Sequence, residues 1–335
     1  MKKLINAPER FVEEMMEGIL LAYGDRVQCL DPEKRVLVRK TPAAKGKVGI
    51  VTAGGSGHLP VFLGYVGEGL LDGCTVGNVF ASPSANKMAD TIKACDSGSG
   101  VLCLFGNYGG DRMNLELACE TVEFDGIKTR KVLVKDDVAS SPKDAADKRR
   151  GVAGMVYAFK IAGAAAAAMK DIDTVTSLAQ KALDNTRSIG VALSACIVPE
   201  AGKATFSVAE DEIEVGMGIH GEPGIEVRKM MTADEVAQTL LEKIMADMPL
   251  TKGNEVTVMI NGLGATPLEE LMIVYRKVAL LLQDKGISIY MPHIGEFATS
   301  MEMAGLSLTI MKLDGELKEL LRAPASTPFY TNHNK

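Results

Sequence analysis

The sequence has no tryptophan, few aromatic residues and only four histidines. Aromatic residues make up 5% of its 335 residues, and its net charge is −6. Proteins that bind nucleic acid generally present a basic surface, and those that bind single strands also use aromatic side chains to stack bases. The composition therefore argues against nucleic-acid binding, and it makes each histidine a residue to follow.

Disulfide, zinc and membrane signals are missing as well. The six cysteines form no C-x-x-C pair and lie mostly in apolar contexts, a pattern typical of free thiols in a reducing compartment. The longest apolar run, residues 161–169, is mainly alanine and too short to span a bilayer. The first residues show no secretory signal. These absences predict a cytoplasmic protein that has no membrane segment and no metal site.

Alternating helix-type and strand-type patterns predict an α/β fold with two domains. The length of 335 residues exceeds what a single hydrophobic core usually supports. We expect a first α/β domain at residues 1–190 and a second at residues 191–335, each a sheet flanked by helices, with glycine-rich turns at strand ends forming the site. Walker A, G-x-S-x-G and H-E-x-x-H motifs are absent, which predicts no common nucleotide-binding loop and no metalloprotease site.

A glycine-rich turn follows the first buried-type strand. Gly54, Gly55, Ser56 and Gly57 lead directly to His58. Three glycines let the backbone turn tightly and leave amide N–H groups unhindered, a geometry that can hold an anion or a sugar hydroxyl. The alternative is that the stretch only makes a turn, as many such stretches do in α/β proteins.

A second glycine-rich turn begins at Gly106 and Asn107 and leads to Asp111. In open α/β sheets, ligands bind outside the carboxyl ends of the strands. We therefore expect Asp111 and His58 to face the same crevice. The alternative for Asp111 is a structural role as the N-cap of the helix predicted from Arg112, because aspartate is a preferred capping residue.

In the second half, residues 213–220 alternate with period two and predict a strand that ends at His220, directly before Gly221. A histidine between glycines at a strand end is expected to be accessible, either as a site residue or as an ordinary surface turn. Residues 204–208 also predict a strand. The basic run at residues 148–150 is typical of a solvated loop, or of a contact with phosphate or an acidic partner. Residues 327–335 predict a frayed terminus.

Five motifs in order resemble the dihydroxyacetone-binding (K) subunit of dihydroxyacetone kinases, and the likeness spans almost the whole chain. They lie at residues 54–58, 82–83, 107–111, 216–224 and 261–267. The resemblance implies a homodimer of two-domain α/β chains. It also implies that a ring nitrogen of His220 adds to the substrate ketone to give a covalent hemiaminal, which would select short ketoses over glycerol.

The same resemblance assigns roles to the other site residues. Asp111 would take the proton of the attacking hydroxyl, and His58 would hydrogen-bond the substrate and assist acid–base steps. The turn residues expected at the substrate are Gly54, Gly55, Ser56, Gly57, Gly106 and Asn107. No cofactor is expected on this chain: ATP or ADP with Mg²⁺ would lie on a separate nucleotide-binding L subunit, which a phosphotransferase-system phosphocarrier recharges in some members.

The sequence departs from the family pattern at four positions. Ala53 and Leu59 replace the usual glycine and glutamate, and Gly106 and Gly109 replace a lysine and a threonine. Loss of that lysine removes a charge and is expected to open volume, which favours a larger or different ketose, such as erythrulose or another ketose of four or five carbons. Two alternatives are a coactivator that senses a ketose without phosphorylating it and, more remotely, a fatty-acid-binding protein. Retention of both His58 and Asp111 favours the kinase subunit.

Overall fold

The computed structural model describes residues 2–333, which form helices packed on two large sheets. The α-helices are α1 Phe11–Tyr23, α2 Ala85–Cys95, α3 Gly109–Glu123, α4 Met155–Ala167, α5 Ile172–Asp184, α6 Ala233–Asp247, α7 Leu268–Asp284 and α8 Gly315–Arg322. Short 3-10 helices lie at Pro8–Arg10, Leu63–Tyr65 and Lys143–Lys148. The strands are β1 Val27–Cys29, β2 Val36–Arg39, β3 Gly49–Ser56, β4 Gly73–Val79, β5 Val101–Gly106, β6 Thr129–Val134, β7 Thr186–Ser194, β8 Glu212–Val215, β9 Glu226–Lys229, β10 Glu255–Gly262, β11 Ser288–Ile289, β12 His293–Gly295, β13 Ala304–Leu313, β14 Ala325–Ser326 and β15 Thr331–Asn332.

The first sheet has six strands in the order β1-β2-β4-β3-β5-β6. The four strands β4, β3, β5 and β6 run parallel, while β1 and β2 pair antiparallel at one edge. Parallel neighbours end on the same side of a sheet. The turns after β3 and β5, which carry His58 and Asp111, therefore leave the sheet at the same edge.

The second sheet has seven strands and is mostly antiparallel. Its main order is β11-β10-β13-β7-β8-β9, and β12 also pairs with β10 beyond the end of β11. The strands β7, β8, β10 and β13 pair antiparallel with their neighbours in this order, apart from the parallel pairs of β10 with β11 and β12. The chain segment that follows β12 crosses toward the first sheet.

Helices and sheets alternate in five layers. Helices α2 and α3 cover one face of the first sheet, and α6 and α7 cover the outer face of the second. Between the sheets lie α4 and α5, whose core cluster also includes Met259 and Met311 of the second sheet. Twelve of the thirteen residues of α4 are buried, and its alanines and Gly163 allow close approach: a Cβ on Gly163 would lie 2.5 Å from the Leu70 Cα.

The structure confirms the predicted α/β fold with sheets flanked by helices. It also shows that α4 and α5 pack against both sheets, so the two halves share a core. Residues 190 and 191, between which the sequence predicts the domain boundary, both lie inside β7. The change from one sheet to the other comes earlier, between β6 and β7. None of the described helices is long and apolar enough to cross a membrane.

Two predicted local structures are wrong. Residues 204–208 form no strand: Ala204 makes only a single bridge with Ile197, and the loop packs over the turn at Gly221 through Thr205 and Phe206. The chain from Thr327 is not frayed, since the buried Thr327 hydroxyl donates to the Gly64 carbonyl at 2.8 Å and β15 pairs with β14. Residues 334 and 335, also included in that prediction, lie outside the described residues.

The basic run at residues 148–150 is solvated only at Lys148, since Arg149 is buried and Arg150 partly buried. The Arg149 side chain is 2% exposed, and its two terminal nitrogens donate to the Asp247 carboxylate at 3.0 and 2.5 Å. Arg187 also contacts this carboxylate. Burial raises the pKa of Asp247, but the hydrogen bonds and charges of Arg149 and Arg187 outweigh it and hold the pKa to about 2. Asp247 therefore stays ionised between two arginines.

We expect Asp247→Asn to lower the free energy of unfolding by about 3–5 kcal/mol, because it leaves buried guanidinium groups without a counter-charge. The matched control is Asp234→Asn at the other end of α6, where the carboxylate pairs with Arg276 at the surface and should be worth about 0–1 kcal/mol. Urea unfolding followed by circular dichroism measures both. If both variants lost the same free energy of unfolding, the buried ion pair would stabilise the fold no more than the surface pair does, contrary to this prediction.

Candidate active site

Two histidines from distant parts of the chain meet at the edge where β3 and β5 end. The rings of His58 and His220 lie 4.7 Å apart between centroids and are nearly perpendicular, at 85°. His58 follows β3, and His220 lies in the turn after β8. Asp111 lies in the first turn of α3, three residues after Tyr108, whose ring centroid is 4.8 Å from that of His220; the charge of His220 also lowers the pKa of the Asp111 carboxyl group. The three predicted catalytic side chains therefore share one site.

The tautomer of His58 follows from its surroundings. The side chain is fully buried, and its Nδ1 lies 2.8 Å from the Thr299 carbonyl oxygen. A carbonyl only accepts hydrogen bonds, so Nδ1 carries the proton and Nε2 presents a lone pair. That Nε2 has no partner within residues 2–333. Burial, and secondly the charge of His220, lower the pKa of His58 to about 3, so the ring is neutral at physiological pH and offers one acceptor.

His220 is held by a carboxylate two residues further along the chain. Its Nδ1 lies 2.9 Å from Glu222 Oε1, and its backbone N–H donates to Glu222 Oε2 at 2.9 Å. Burial raises the pKa of Glu222, but the hydrogen bond and charge of His220 outweigh it and hold the pKa to about 2. An ionised carboxylate accepts the Nδ1 proton in a hydrogen bond and leaves the His220 Nε2 lone pair free.

The strand predicted at residues 213–220 is correct only in its first part. Strand β8 ends at Val215, where Gly216 adopts a φ of +83° that turns the chain. His220 therefore lies in a loop stabilised by its own contacts rather than at the end of a strand. It is also not an ordinary surface turn residue, because its side chain is only 24% exposed and paired with Glu222.

Aromatic rings enclose the space around His220. The Phe80 and Tyr108 rings lie edge-on to its imidazole at centroid distances of 5.3 and 4.8 Å. The Tyr108 hydroxyl donates to the Gly151 carbonyl at 3.0 Å, which fixes the ring. A Cβ on Gly106 would lie 3.0 Å from that ring. Tyr108 therefore occupies part of the volume that the glycine at position 106 was expected to open.

Asp111 is not the N-cap of α3, as the structural alternative required. Helix α3 begins at Gly109 with Tyr108 as its N-cap, so Asp111 lies inside the first turn. Its carboxyl group is largely buried, and within the described chain Oδ1 has no hydrogen-bond partner. Burial raises the pKa of Asp111, while a hydrogen bond from Ser82 and the charge of His220 oppose that rise. A buried carboxyl oxygen without a partner is costly unless a ligand satisfies it.

The glycines of the first turn are required by close packing. A Cβ on Gly54 would lie 2.3 Å from the Phe62 ring, and one on Gly57 would lie 2.8 Å from the Phe80 ring. Gly57 also has a φ of +101°. A Cβ on Gly55 would lie 2.7 Å from a backbone nitrogen. The backbone of the turn thus comes close to the rings that surround His58.

Two predicted substrate contacts use their side chains inside the fold. The Ser56 hydroxyl donates to the Gly77 carbonyl at 2.8 Å. The Asn107 amide donates to the carbonyls of Asp147 and Arg149 at 3.0 and 2.8 Å, which ties the turn after β5 to the loop before α4. These side chains position the turns.

Several residues that hold the site in place were not predicted from the sequence. Arg150, in the basic run, donates to the Gly216 carbonyl at 3.1 Å and lies 4.0 Å from Glu222. The same guanidinium pairs with the buried Asp137 at 2.8 Å. Of these residues, only Glu222 could have been found from the sequence, because it is the first carboxylate after His220 in the motif at residues 216–224. Within residues 2–333, no group of three or more histidine, cysteine, aspartate or glutamate side chains is arranged to hold a metal ion.

The chain is similar to known proteins over nearly its full length. Residues 17–329 match the Dak1 domain family. The chain is 46% identical over 330 residues to a Listeria innocua protein, PTS-dependent dihydroxyacetone kinase 2, dihydroxyacetone-binding subunit DhaK, covering 98% of this chain and 99% of that protein. It is 43% identical to the L-erythrulose kinase of Pectobacterium atrosepticum, covering 98% of this chain and 56% of that longer protein.

A solved structure supports the same likeness. The dihydroxyacetone kinase operon co-activator DhaQ superposes with a TM-score of 0.90 at 32% identity, covering 96% of this chain and 98% of that one. One fold therefore occurs in proteins named as a kinase subunit, as a kinase for a four-carbon ketose and as a coactivator. These proteins are named for different activities, so the side chains of the site have to discriminate among them.

Proposed function

This chain belongs to the Dak1 domain family, and on that premise we propose that it is the ketose-binding subunit of a dihydroxyacetone kinase-type phosphotransferase. It binds a short ketose covalently on His220 and presents a hydroxyl group for phosphorylation. The observation that carries the proposal is the pairing of His220 Nδ1 with Glu222 at 2.9 Å, which directs the other ring nitrogen, Nε2, to the substrate as the nucleophile, beside the His58 ring. The names of the relatives support a kinase subunit.

Every bond and proton in hemiaminal formation can be accounted for with His220, Glu222, the ketose and solvent. The Nε2 lone pair of His220 forms a bond to the ketone carbon, and the electron pair of the C=O π bond moves to the oxygen, which takes up a proton from solvent. The ring becomes cationic and releases its Nδ1 proton to Glu222, which passes it to solvent. One proton therefore moves, in sum, from the ring to the substrate oxygen. A polyol has no carbonyl carbon to attack, so glycerol is excluded.

Two buried atoms without a hydrogen-bond partner in the described chain, His58 Nε2 and Asp111 Oδ1, suit substrate binding and phosphoryl transfer. His58 Nε2 accepts a hydrogen bond from a substrate hydroxyl, because its neutral ring has a lone pair there. Asp111 takes the proton of the hydroxyl whose oxygen attacks the phosphoryl group, as a general base. The phosphoryl group passes to the ketose oxygen, and the nucleoside diphosphate leaves. Asp111 is what separates a kinase subunit from a sensor, since a sensor needs only the covalent bond to His220.

The phosphoryl donor is proposed to lie on a partner. A nucleotide-binding L subunit would supply ATP, or ADP recharged through a phosphotransferase-system phosphocarrier, together with Mg²⁺. The "PTS-dependent" name of the Listeria relative supports the second arrangement, which would operate in the cytoplasm. The L-erythrulose kinase extends well beyond the region that this chain matches, which leaves room for a donor domain in that protein.

We propose that the chain works as a homodimer through the outer edge of the second sheet. Strand β9 is the last strand at that edge of the sheet. Val227 lies in β9, and Ile225 and Met230 flank it; these three apolar side chains are 49–56% exposed. Ile273 of α7 is also 49% exposed. An edge strand flanked by apolar side chains is a common self-association surface.

The substrate is proposed to be dihydroxyacetone or a four-carbon ketose such as erythrulose. The glycine at position 106 leaves the site without the family lysine, and the similarity to an L-erythrulose kinase fits the larger ketose. Tyr108 fills part of the space over Gly106, so any extra carbon must lie elsewhere in the site. A coactivator role is the second candidate, because a protein named as a coactivator has the same fold, with a TM-score of 0.90.

Intact-protein mass spectrometry under native conditions tests the proposal. We expect mass increases equal to dihydroxyacetone and to erythrulose and none with glycerol, because only a ketone can form the hemiaminal. The ketose with the higher occupancy at equal concentration identifies the preferred substrate. Adding an L subunit and phosphoryl donor should then release a ketose phosphate. An adduct without turnover would favour the coactivator, and folded protein without any ketose adduct would refute covalent binding.

A further inference from the structure

We infer that Ser300 is a positioning residue for His220, an inference that rests on the proposed role of His220 as the nucleophile. Ser300 is fully buried, and its hydroxyl donates to the Ile219 carbonyl at 2.6 Å. That carbonyl belongs to the peptide unit immediately before His220. Ser300 lies in residues 297–301, here named the bridge segment, which follows β12 and lies about eighty positions beyond the histidine in sequence.

The bridge segment is bonded to the His58 turn as well. The Thr299 carbonyl accepts from His58 Nδ1 at 2.8 Å, and the Thr299 N–H donates to the His58 carbonyl at 3.3 Å. The Thr299 hydroxyl donates to the Leu59 carbonyl at 2.9 Å, and the Met301 N–H to the Gly57 carbonyl at 2.7 Å. Adjacent residues of one segment thus fix the tautomer of one histidine and the backbone of the other.

A buried asparagine of β10 fixes the bridge segment itself. The Asn261 Oδ1 accepts from the backbone N–H groups of Phe297 and Ala298 at 2.8 and 2.9 Å. Its Nδ2 donates to the Ala298 carbonyl at 2.8 Å and to the Ser307 hydroxyl at 3.0 Å. All four hydrogen-bonding positions of this amide are used. The bridge segment is therefore a rigid reference for both histidine turns.

Ser300 and Glu222 hold different parts of His220. Glu222 contacts the ring and the amide N–H of His220, so it sets the tautomer. Ser300 contacts the preceding carbonyl, so it sets where the residue stands relative to His58. Ile219 is 5% exposed, and without Ser300 its carbonyl would lack a donor unless the turn moved. Such movement would spoil the alignment with His58 while leaving the ring nucleophilic.

The test compares Ser300→Ala with Thr186→Val, which removes another fully buried hydroxyl that donates to a backbone carbonyl, that of Ala182 at 2.7 Å. In the assay with an L subunit, Ser300→Ala should raise KM for the preferred ketose about tenfold, the scale of one buried acceptor left unsatisfied, and change kcat less than about twofold. Thr186→Val should change neither by more than about twofold. Ser300→Thr, which keeps the hydroxyl, should restore KM if it folds as stably as wild type.

A readout without ketose separates this inference from the proposed function. In protein with ¹⁵N-labelled histidine, Ser300→Ala should shift or broaden the ring signals of His220 while those of His293 stay unchanged, and Thr186→Val should alter neither. Unchanged His220 signals together with an unchanged KM would overturn the positioning role even if wild type forms the adduct. Absence of any wild-type adduct would refute the proposed function, and the His220 signals would still decide the role of Ser300.

Discussion

A His220→Ala variant should form no ketose adduct and should lose nearly all phosphorylation activity. The variant lacks the lone pair that attacks the carbonyl carbon. The one nitrogen acceptor left in the site is His58 Nε2, which in the proposed complex is engaged by a substrate hydroxyl rather than aimed at the ketone carbon. We expect kcat/KM to fall by about 10³-fold, or ~4 kcal/mol at about 1.4 kcal/mol per factor of ten. Native mass spectrometry and the coupled assay measure the two losses.

The matched control is His333→Ala, which removes an exposed histidine near the end of the described chain. It should bind and phosphorylate the ketose as wild type does. An unaltered unfolding midpoint for His220→Ala would show that the loss is chemical, which is expected because the side chain is partly exposed and its removal opens no core cavity. Persistence of a ketose adduct in His220→Ala would place the nucleophile elsewhere.

Glu222→Gln should form the ketose adduct more slowly than wild type but, unlike His220→Ala, should still form it. The amide oxygen can still accept from Nδ1, but the negative charge that stabilises the cationic ring during attack is gone. We expect adduct formation to slow by about 10–100-fold, the range typical of residues that orient and charge-match a catalytic group. Glu226→Gln, a surface glutamate paired with Arg228 and Lys243, is the comparison that separates this effect from general charge loss.

Local patterns predicted where the site lies, and distant contacts determine how it is built. The strand-end turns placed His58 and Asp111 at one sheet edge because parallel strands end together. The sequence could not show that Thr299 sets the tautomer of His58, because the two residues are 241 positions apart. Arg150 was misread for the same reason: its partners, Asp137 and the Gly216 carbonyl, come together only when the loops before α4 and after β8 meet.

Burial accounts for the other differences between prediction and structure. Asp111 was a candidate helix cap because a local rule favours aspartate there, but α3 begins two residues earlier, at Gly109, and the Asp111 carboxyl group is buried beside the site. The division into two domains at residues 190 and 191 stays a prediction; it was drawn at a glycine between local patterns, and such patterns cannot show that α4 and α5 pack against both sheets. Position 106 was interpreted from the missing lysine alone, whereas the ring of Tyr108, two residues later, covers the vacated space.

The second large effect is expected from Asp111→Asn, which should retain the ketose adduct and lose phosphoryl transfer. Asparagine has nearly the shape of aspartate but cannot take a proton from the attacking hydroxyl, so kcat should fall by about 10²–10⁴-fold. Native mass spectrometry should show wild-type adduct occupancy. Asp90→Asn, an exposed aspartate of α2, is the control and should keep full activity. Loss of the adduct together with kcat would assign Asp111 to binding rather than to proton transfer.

The pH dependence and the stability of this variant follow from the same burial. Burial raises the pKa of Asp111, so this base becomes protonated at a higher pH than an ordinary aspartate. As the pH is lowered, wild-type kcat should therefore begin to decline at a higher pH than an ordinary aspartate would give. The residual kcat of Asp111→Asn should lack this decline at acidic pH. Above the pKa, the folded protein holds a disfavoured carboxylate, so an acid with a raised folded-state pKa costs stability there. Asp111→Asn should therefore unfold at the same or a higher temperature than wild type at pH 8. A lower midpoint would mean that the ionised carboxylate stabilises the fold, contrary to its partnerless Oδ1.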